Sequence, residues 1–125
     1  IKRAEAGLYN QFEVNRGLPA PYLVKYFTRY GAFFRVNANI RESINFRTMN
    51  LTREWCDIPA IDICLIRNVL IYFDHAMKKQ IFHRLRRTLA PDGCLLLGGT
   101  ESPLNIDDNW ERHPCQQTTY YTSKS

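Results

Sequence analysis

IDICLIRNVLIYFDHAMKKQIFHRLRRTLAPDGCLLLG, residues 61–98, carries the pattern that decides the fold. IDICLI is a short run that is apolar almost throughout, as a strand buried on both faces would be. A helical period follows over roughly 74–89, with Ile81, Phe82, Leu85 and Leu89 as its apolar stripe. Lys78, Lys79, Arg84, Arg86 and Arg87 make the rest of that helix basic, which by default is a solvated face. Asp74 stands immediately before the periodic segment, where a carboxylate caps a helix N-terminus. APDG then reads as a turn and CLLLG as a second buried strand. Two such strands joined by a crossover helix indicate a parallel α/β sheet.

Arg67 and Asn68 break the apolar run where the first strand ends. Ligands of open α/β sheets bind in the crevice beyond the carboxyl ends of the strands, so this pair stands at the ligand position. Polar groups flanked by apolar ones are costly unless hydrogen-bonded. The pair therefore bonds either to the protein's own backbone or to something bound.

Working outward, the tail QQTTYYTSKS reads as one more strand, antiparallel and at the sheet edge. IKRAEAGL reads as the end of a helix stopped by Gly7, followed by a loop through Gly17. Pro19 and Pro21 precede YLVKYFTRY, whose Leu23, Val24, Phe27 and Tyr30 fall at helical spacing up to Gly31. From 32 to 51 the residues are β-formers, with turns expected at 37–39 and 41–43. A small antiparallel excursion is expected there. Its last piece, SINFRTMN, alternates Ile44, Phe46 and Thr48 on one face and is suited to enter a larger sheet. There is no internal repeat and no low-complexity linker.

At 125 residues the chain suits one domain, and it is 45% hydrophobic and 23% charged. A chain of this size buries roughly two thirds of the surface that it exposes when unfolded. No apolar run approaches the roughly 20 residues of a membrane span, so no membrane insertion is expected. The net charge of +5 admits an acidic partner, although the cations are dispersed rather than gathered in a block. The N-terminus has no export signal and no Met, and reads as mid-protein. Cys56, Cys64, Cys94 and Cys115 form no CxxC and no Cys/His cluster, which points to a reducing, cytoplasmic setting. His75 and His83 lie eight positions apart with no thiol or carboxylate to complete a set, so no metal site is expected.

YNQFEVNRGLP, then YF before the β-excursion, then NL, then RNVLIYFD, then L-x-PDG-x-L-x-LGGTES occur in this order along nearly the whole chain. In these motifs and their spacing the chain resembles the CheR-type chemotaxis receptor methyltransferases. RNVLIYFD is the specific element, whereas PDG alone is common among α/β proteins. The resemblance implies a partial Rossmann-like sheet of the class I S-adenosylmethionine methyltransferases, with a small antiparallel β-subdomain inserted at 32–48. Residues 1–125 would form the C-terminal part of the catalytic domain. The family's N-terminal helical domain and first two sheet strands, with their glycine-containing cofactor loop, have no counterpart here.

The same resemblance implies methyl transfer from S-adenosylmethionine to glutamate side chains of methyl-accepting chemotaxis receptors, leaving S-adenosylhomocysteine. No nucleic acid is implied. Asn50 and Leu51 would line the adenosine pocket, Arg67 and Asn68 would contact the cofactor, and Tyr72 would lie close to the transferred methyl. A receptor glutamate, with an ordinary pKa of about 4.3, is already ionised at neutral pH and needs no general base. Alignment and exclusion of water then supply most of the catalysis. In some members the β-subdomain docks a receptor-tail peptide by strand addition. The link from Phe27 to Arg35 is short for that, and Arg35, Arg41 and Arg47 are either solvated or meet an acidic receptor surface.

Two other classes remain open on the residues alone: a methyltransferase acting on RNA or a small molecule, and a receptor-binding module of methyltransferase ancestry without turnover. Without half the cofactor pocket, the isolated stretch is expected to be inactive. Without its neighbour in the family's strand order, IDICLI is expected to present a bare edge through which two copies dimerise.

Overall fold

The computed structural model describes residues 1–124. The chain divides into two compact units, Ile1–Met49 and the residues from Asn50 onward.

The first unit opens with helix α1 (Lys2–Ala6), which Gly7 stops in the left-handed conformation at φ 61°, as its position predicts. Residues 8–17 are more than a loop. They contain strand β1 (Leu8–Tyr9) and the single-turn helix α2 (Gln11–Val14). A capping box explains that turn: the Asn10 side chain accepts from the Glu13 N–H, and the Asn10 N–H donates to the Glu13 carboxylate, both at 2.9 Å. Helix α3 (Ala20–Tyr26) follows Pro19. The helical spacing that runs on to Tyr30 is overridden, because Phe27–Tyr30 forms strand β2 and pairs with strand β3 (Phe33–Val36) around Gly31 and Ala32. Gly31 holds φ 60°, which a glycine supplies without strain.

An antiparallel sheet does form in this unit, ordered β1-β3-β2, but it draws on residues 8–36. Within 32–48 only β3 is a strand, and Ala38–Glu42 is helix α4 rather than a turn between strands. SINFRTMN enters no sheet. Alternation specifies which face a strand would bury, but a strand forms only where its N–H and C=O groups meet a ladder, and none lies beside residues 44–50.

The second unit holds the expected strand-helix-strand core. Strand β4 (Ile61–Ile66) runs parallel to strand β5 (Leu89–Leu97), connected through helix α5 (His75–Thr88). The Asp74 carboxylate accepts from the Met77 N–H at 2.8 Å and caps that helix, as expected. Ile61 pairs with Leu89, and the ladder resumes at Ile63 and Cys94, so Ala90–Gly93 bulges out of β5 instead of preceding it. Gly93 is required in this bulge, since a Cβ there would lie 2.6 Å from the Ile61 carbonyl oxygen. Strand β6 (Trp110–Cys115), which the alternation of WERHPC scarcely announces, and strand β7 (Thr118–Ser123) complete the order β4-β5-β7-β6. The tail strand is therefore antiparallel to β5, as expected, but interior. β6 occupies that edge.

Ile81, Phe82 and Leu85 from α5 join Leu95, Trp110 and Tyr121 in one buried cluster, with Cys64, Ile66 and Leu97 packed against it. Burying side chains of this size contributes about 1.5–3 kcal/mol each. Beyond the irregularity at Ile61, Ile63 and Leu65 point the other way and are 65% and 74% exposed. β4 is thus the other edge of the sheet, apolar and unpaired on its outer side among the described residues.

Candidate functional site at the carboxyl end of the sheet

Where β4 ends, the chain turns sharply through Asn68, whose φ of 57° lies in the left-handed region. Asparagine tolerates that conformation better than other residues with a Cβ. A single carboxylate holds the turn. One oxygen of Glu101 accepts from the Val69 and Leu70 N–H groups at 3.1 and 2.9 Å, and the other from Asn68 and Gly98 at 2.8 and 3.0 Å. Glu101 is only 9% exposed. Burial opposes its ionisation, but the four backbone donors outweigh burial and hold its carboxyl below the usual carboxylate range. Gly98, the first residue past β5, has no room for a side chain: a Cβ would lie 2.6 Å from the Glu101 carboxylate and 2.8 Å from the Asn68 side-chain oxygen. The strand ends of β4 and β5 are thereby clasped together.

Backbone donors account for Glu101, so they leave the side chains of Arg67 and Asn68 unspent. Neither has a side-chain hydrogen bond or ion pair among the described residues. The choice that the sequence leaves open, own backbone or a bound group, falls to different parts of the same residue. The Asn68 N–H serves the fold, and its amide is available to a ligand. Tyr72 ends the 3-10 turn Leu70–Tyr72 and is 81% exposed, so its ring is not held by core packing.

Asn50 and Leu51 are anchored elsewhere. The Asn50 side chain accepts from Thr52 N and Oγ1 at 2.9 and 2.8 Å, and the Leu51 carbonyl accepts from Trp55 Nε1 and Arg84 at 3.3 and 3.1 Å. Arg84 lies in the last half of α5, the half that leads to the start of β5. The structure brings Arg67 and Asn68 together with Gly98 and Glu101, and ties Leu51 to the opposite end of the helix. Glu101 is the residue that the sequence reading overlooks. LGGTES places an acid three positions past a strand end, yet nothing local distinguishes a glutamate that folds inward from one that faces water.

Residues 1–121 match the profile of the family described as CheR methyltransferase, SAM binding domain. The chain belongs to the CheR methyltransferase family. It is similar to chemotaxis protein methyltransferase 1 of Pseudomonas aeruginosa, 34% identical over 125 residues, covering 99% of this chain and 46% of that protein. It is likewise 32% identical to the chemotaxis protein methyltransferase of Vibrio anguillarum over 99% of this chain and 46% of that protein. For the Escherichia coli chemotaxis protein methyltransferase the figures are 29%, 99% and 44%. The chain spans about half the length of the curated relatives it matches.

A domain of the CheR family binds S-adenosylmethionine, and the strand-end turn fits such a ligand. It offers an unspent side-chain amide at Asn68, and Gly98 lets Glu101 and Asn68 close in on the end of β5. Among the described residues no group of three or more His, Cys, Asp or Glu side chains is placed to hold a metal. No helix among them is long and apolar enough to cross a membrane. All four cysteines are free, and burial, then the neighbouring Cys94, pushes the Cys64 thiol up.

Proposed function

We propose that the protein carrying this chain transfers the methyl group of S-adenosylmethionine to glutamate side chains of bacterial chemoreceptors, in a cytoplasmic setting. The match to the CheR family over residues 1–121 carries this reading, and the clasped turn at Arg67 and Asn68 supports it. When bound, the cofactor supplies a methyl group on a sulfonium centre. Asn68 holds it through its side-chain amide, Arg67 lines the same strand end through its backbone, and the Tyr72 hydroxyl orients the reacting partners from the open side of the turn. The backbone N–H groups of Asn50 and Leu51, which serve no described hydrogen bond, are the donors left for the adenosine.

The isolated chain is inactive in this reading, and its bare β4 edge pairs with a second copy. Static light scattering over a range of concentrations checks the pairing, and a monomer throughout counts against it. For the function, the full-length protein is mixed with radiolabelled S-adenosylmethionine and receptor. Label appears as base-labile methyl ester, and Asn68→Ala raises the KM for the cofactor more than it lowers kcat. Failure to label any receptor overturns the assignment.

A further inference from the structure

Beyond the strand-end turn, a cavity of about 380 Å³ lies between the carboxyl end of β5 and the β6–β7 hairpin. Arg67 enters it from the β4 end and Arg112 from β6, with Gly98, Glu101, Gln117 and Thr119 among the remaining walls. We propose that this cavity receives a glutamate side chain of an acidic polypeptide, its carboxylate lying between Arg67 and Arg112.

The charges carry the inference. Neither Arg67 nor Arg112 joins an ion pair among the described residues, whereas other arginines do: Arg3 with Glu13, Arg84 with Glu54 and Arg86 with Asp107. Arg112 has only a long contact to the Thr119 hydroxyl, at 3.5 Å. Glu101 shares the cavity but cannot serve either arginine as a bonding partner, because each of its oxygens already accepts two backbone N–H groups. Two guanidinium groups against one carboxylate leave the cavity with one uncompensated positive charge.

A guanidinium fork matches a carboxylate in two parallel hydrogen bonds. A dianion such as phosphate would meet the Glu101 charge as well, so a singly charged carboxylate is the better fit. The cavity adjoins the Arg67-Asn68 turn, which places a docked acidic segment beside the group that we assign to the cofactor. Only the choice of a receptor segment as the occupant rests on the proposed function.

The test uses the full-length protein that carries this chain, 15N-labelled, and a helical peptide with glutamates along one face, compared with the same peptide bearing glutamines. The glutamate peptide shifts the amides of Gly98, Gly99, Thr118 and Thr119, and the glutamine peptide binds more weakly. Arg112→Ala weakens the glutamate peptide about threefold to tenfold, as for one partly solvated charge-assisted contact, and Arg112→Lys falls between. Arg112 is exposed on an edge strand, and an unchanged amide spectrum in the free variant checks its fold. Equal binding of the two peptides, shifts remote from the cavity, or no loss in Arg112→Ala overturns the proposal. So does a loss of S-adenosylmethionine affinity in Arg112→Ala with peptide binding intact, which would give the cavity to the cofactor. Peptide binding as expected, in a protein whose full-length form methylates no receptor, would sink the functional assignment while leaving this site standing.

Discussion

Replacing Glu101 by glutamine keeps the side chain's shape and removes its charge. The carboxylate now accepts from four backbone N–H groups, of which those of Leu70 and Gly98 are the buried ones. An amide offers one oxygen and one NH₂, so whichever way it turns, either Leu70 or Gly98 faces a donor instead of an acceptor. A buried donor without a partner costs about 1–3 kcal/mol. The two surviving bonds lose their charge assistance, at about 1 kcal/mol each. The expected loss is thus about 3–5 kcal/mol, a large part of the roughly 5–15 kcal/mol that holds a typical domain folded.

Both tryptophans, Trp55 and Trp110, lie in the second unit, so denaturant unfolding followed by their fluorescence reads the unit that contains the clasp. The sign of the pH dependence follows from the depressed folded-state pKa of Glu101. Its contribution is fully present above the unfolded value of about 4.3 and is lost as pH falls through the folded value. The stability gap between wild type and Glu101→Gln therefore holds from neutral pH down to about 5, begins to narrow near the unfolded value of about 4.3, and closes progressively as pH falls toward the folded value. Asp107 also has a lowered pKa: burial raises it, and this is outweighed by bonds from Asn109 and Arg86. That contribution is common to both variants and cancels in the difference. A gap below about 0.5 kcal/mol at pH 7, or one that widens in acid, would refute the clasp.

Asp74→Ala removes the cap on α5 and is expected to cost about 1 kcal/mol by the same denaturant assay, with Asp74→Ser recovering most of it. Gly98→Ala inserts a methyl group into space already held by Glu101 and Asn68, so it should weaken S-adenosylmethionine binding in the full-length protein and shift the amide resonances of 68–70. Ala at Gly99, where a Cβ meets nothing within 4 Å, should do neither. Phe82→Ala empties a side chain 1% exposed at the centre of the cluster and should cost about 3–5 kcal/mol, read as a lower denaturant midpoint.

The strand-helix-strand core was legible because its signals are local and strong: two apolar runs, a stripe at helical period and an acid at the cap. The motif RNVLIYFD was legible as a strand end with unspent polar side chains, because a cation and an amide interrupt an apolar run there. Residues 27–30 were not legible, since Phe27 and Tyr30 suit a helix and a hairpin equally and pairing with β3 decides between them. WERHPC was not legible either, for a related reason: its pairing with β7, two residues further on, is what makes it a strand.

By itself, the sequence determined the elements whose stabilising partners lie within a turn or two along the chain. Among them are the Gly7 stop, the Asp74 cap, the α5 stripe and the position of Arg67 and Asn68 at a strand's end. Tertiary structure alone decided the rest: that the tail strand lies inside the sheet, that SINFRTMN joins no strand ladder, and that Glu101 closes on a turn some 31–33 residues away. A hydrogen bond across that separation depends on β4 and β5 first lying side by side, and no local preference encodes it.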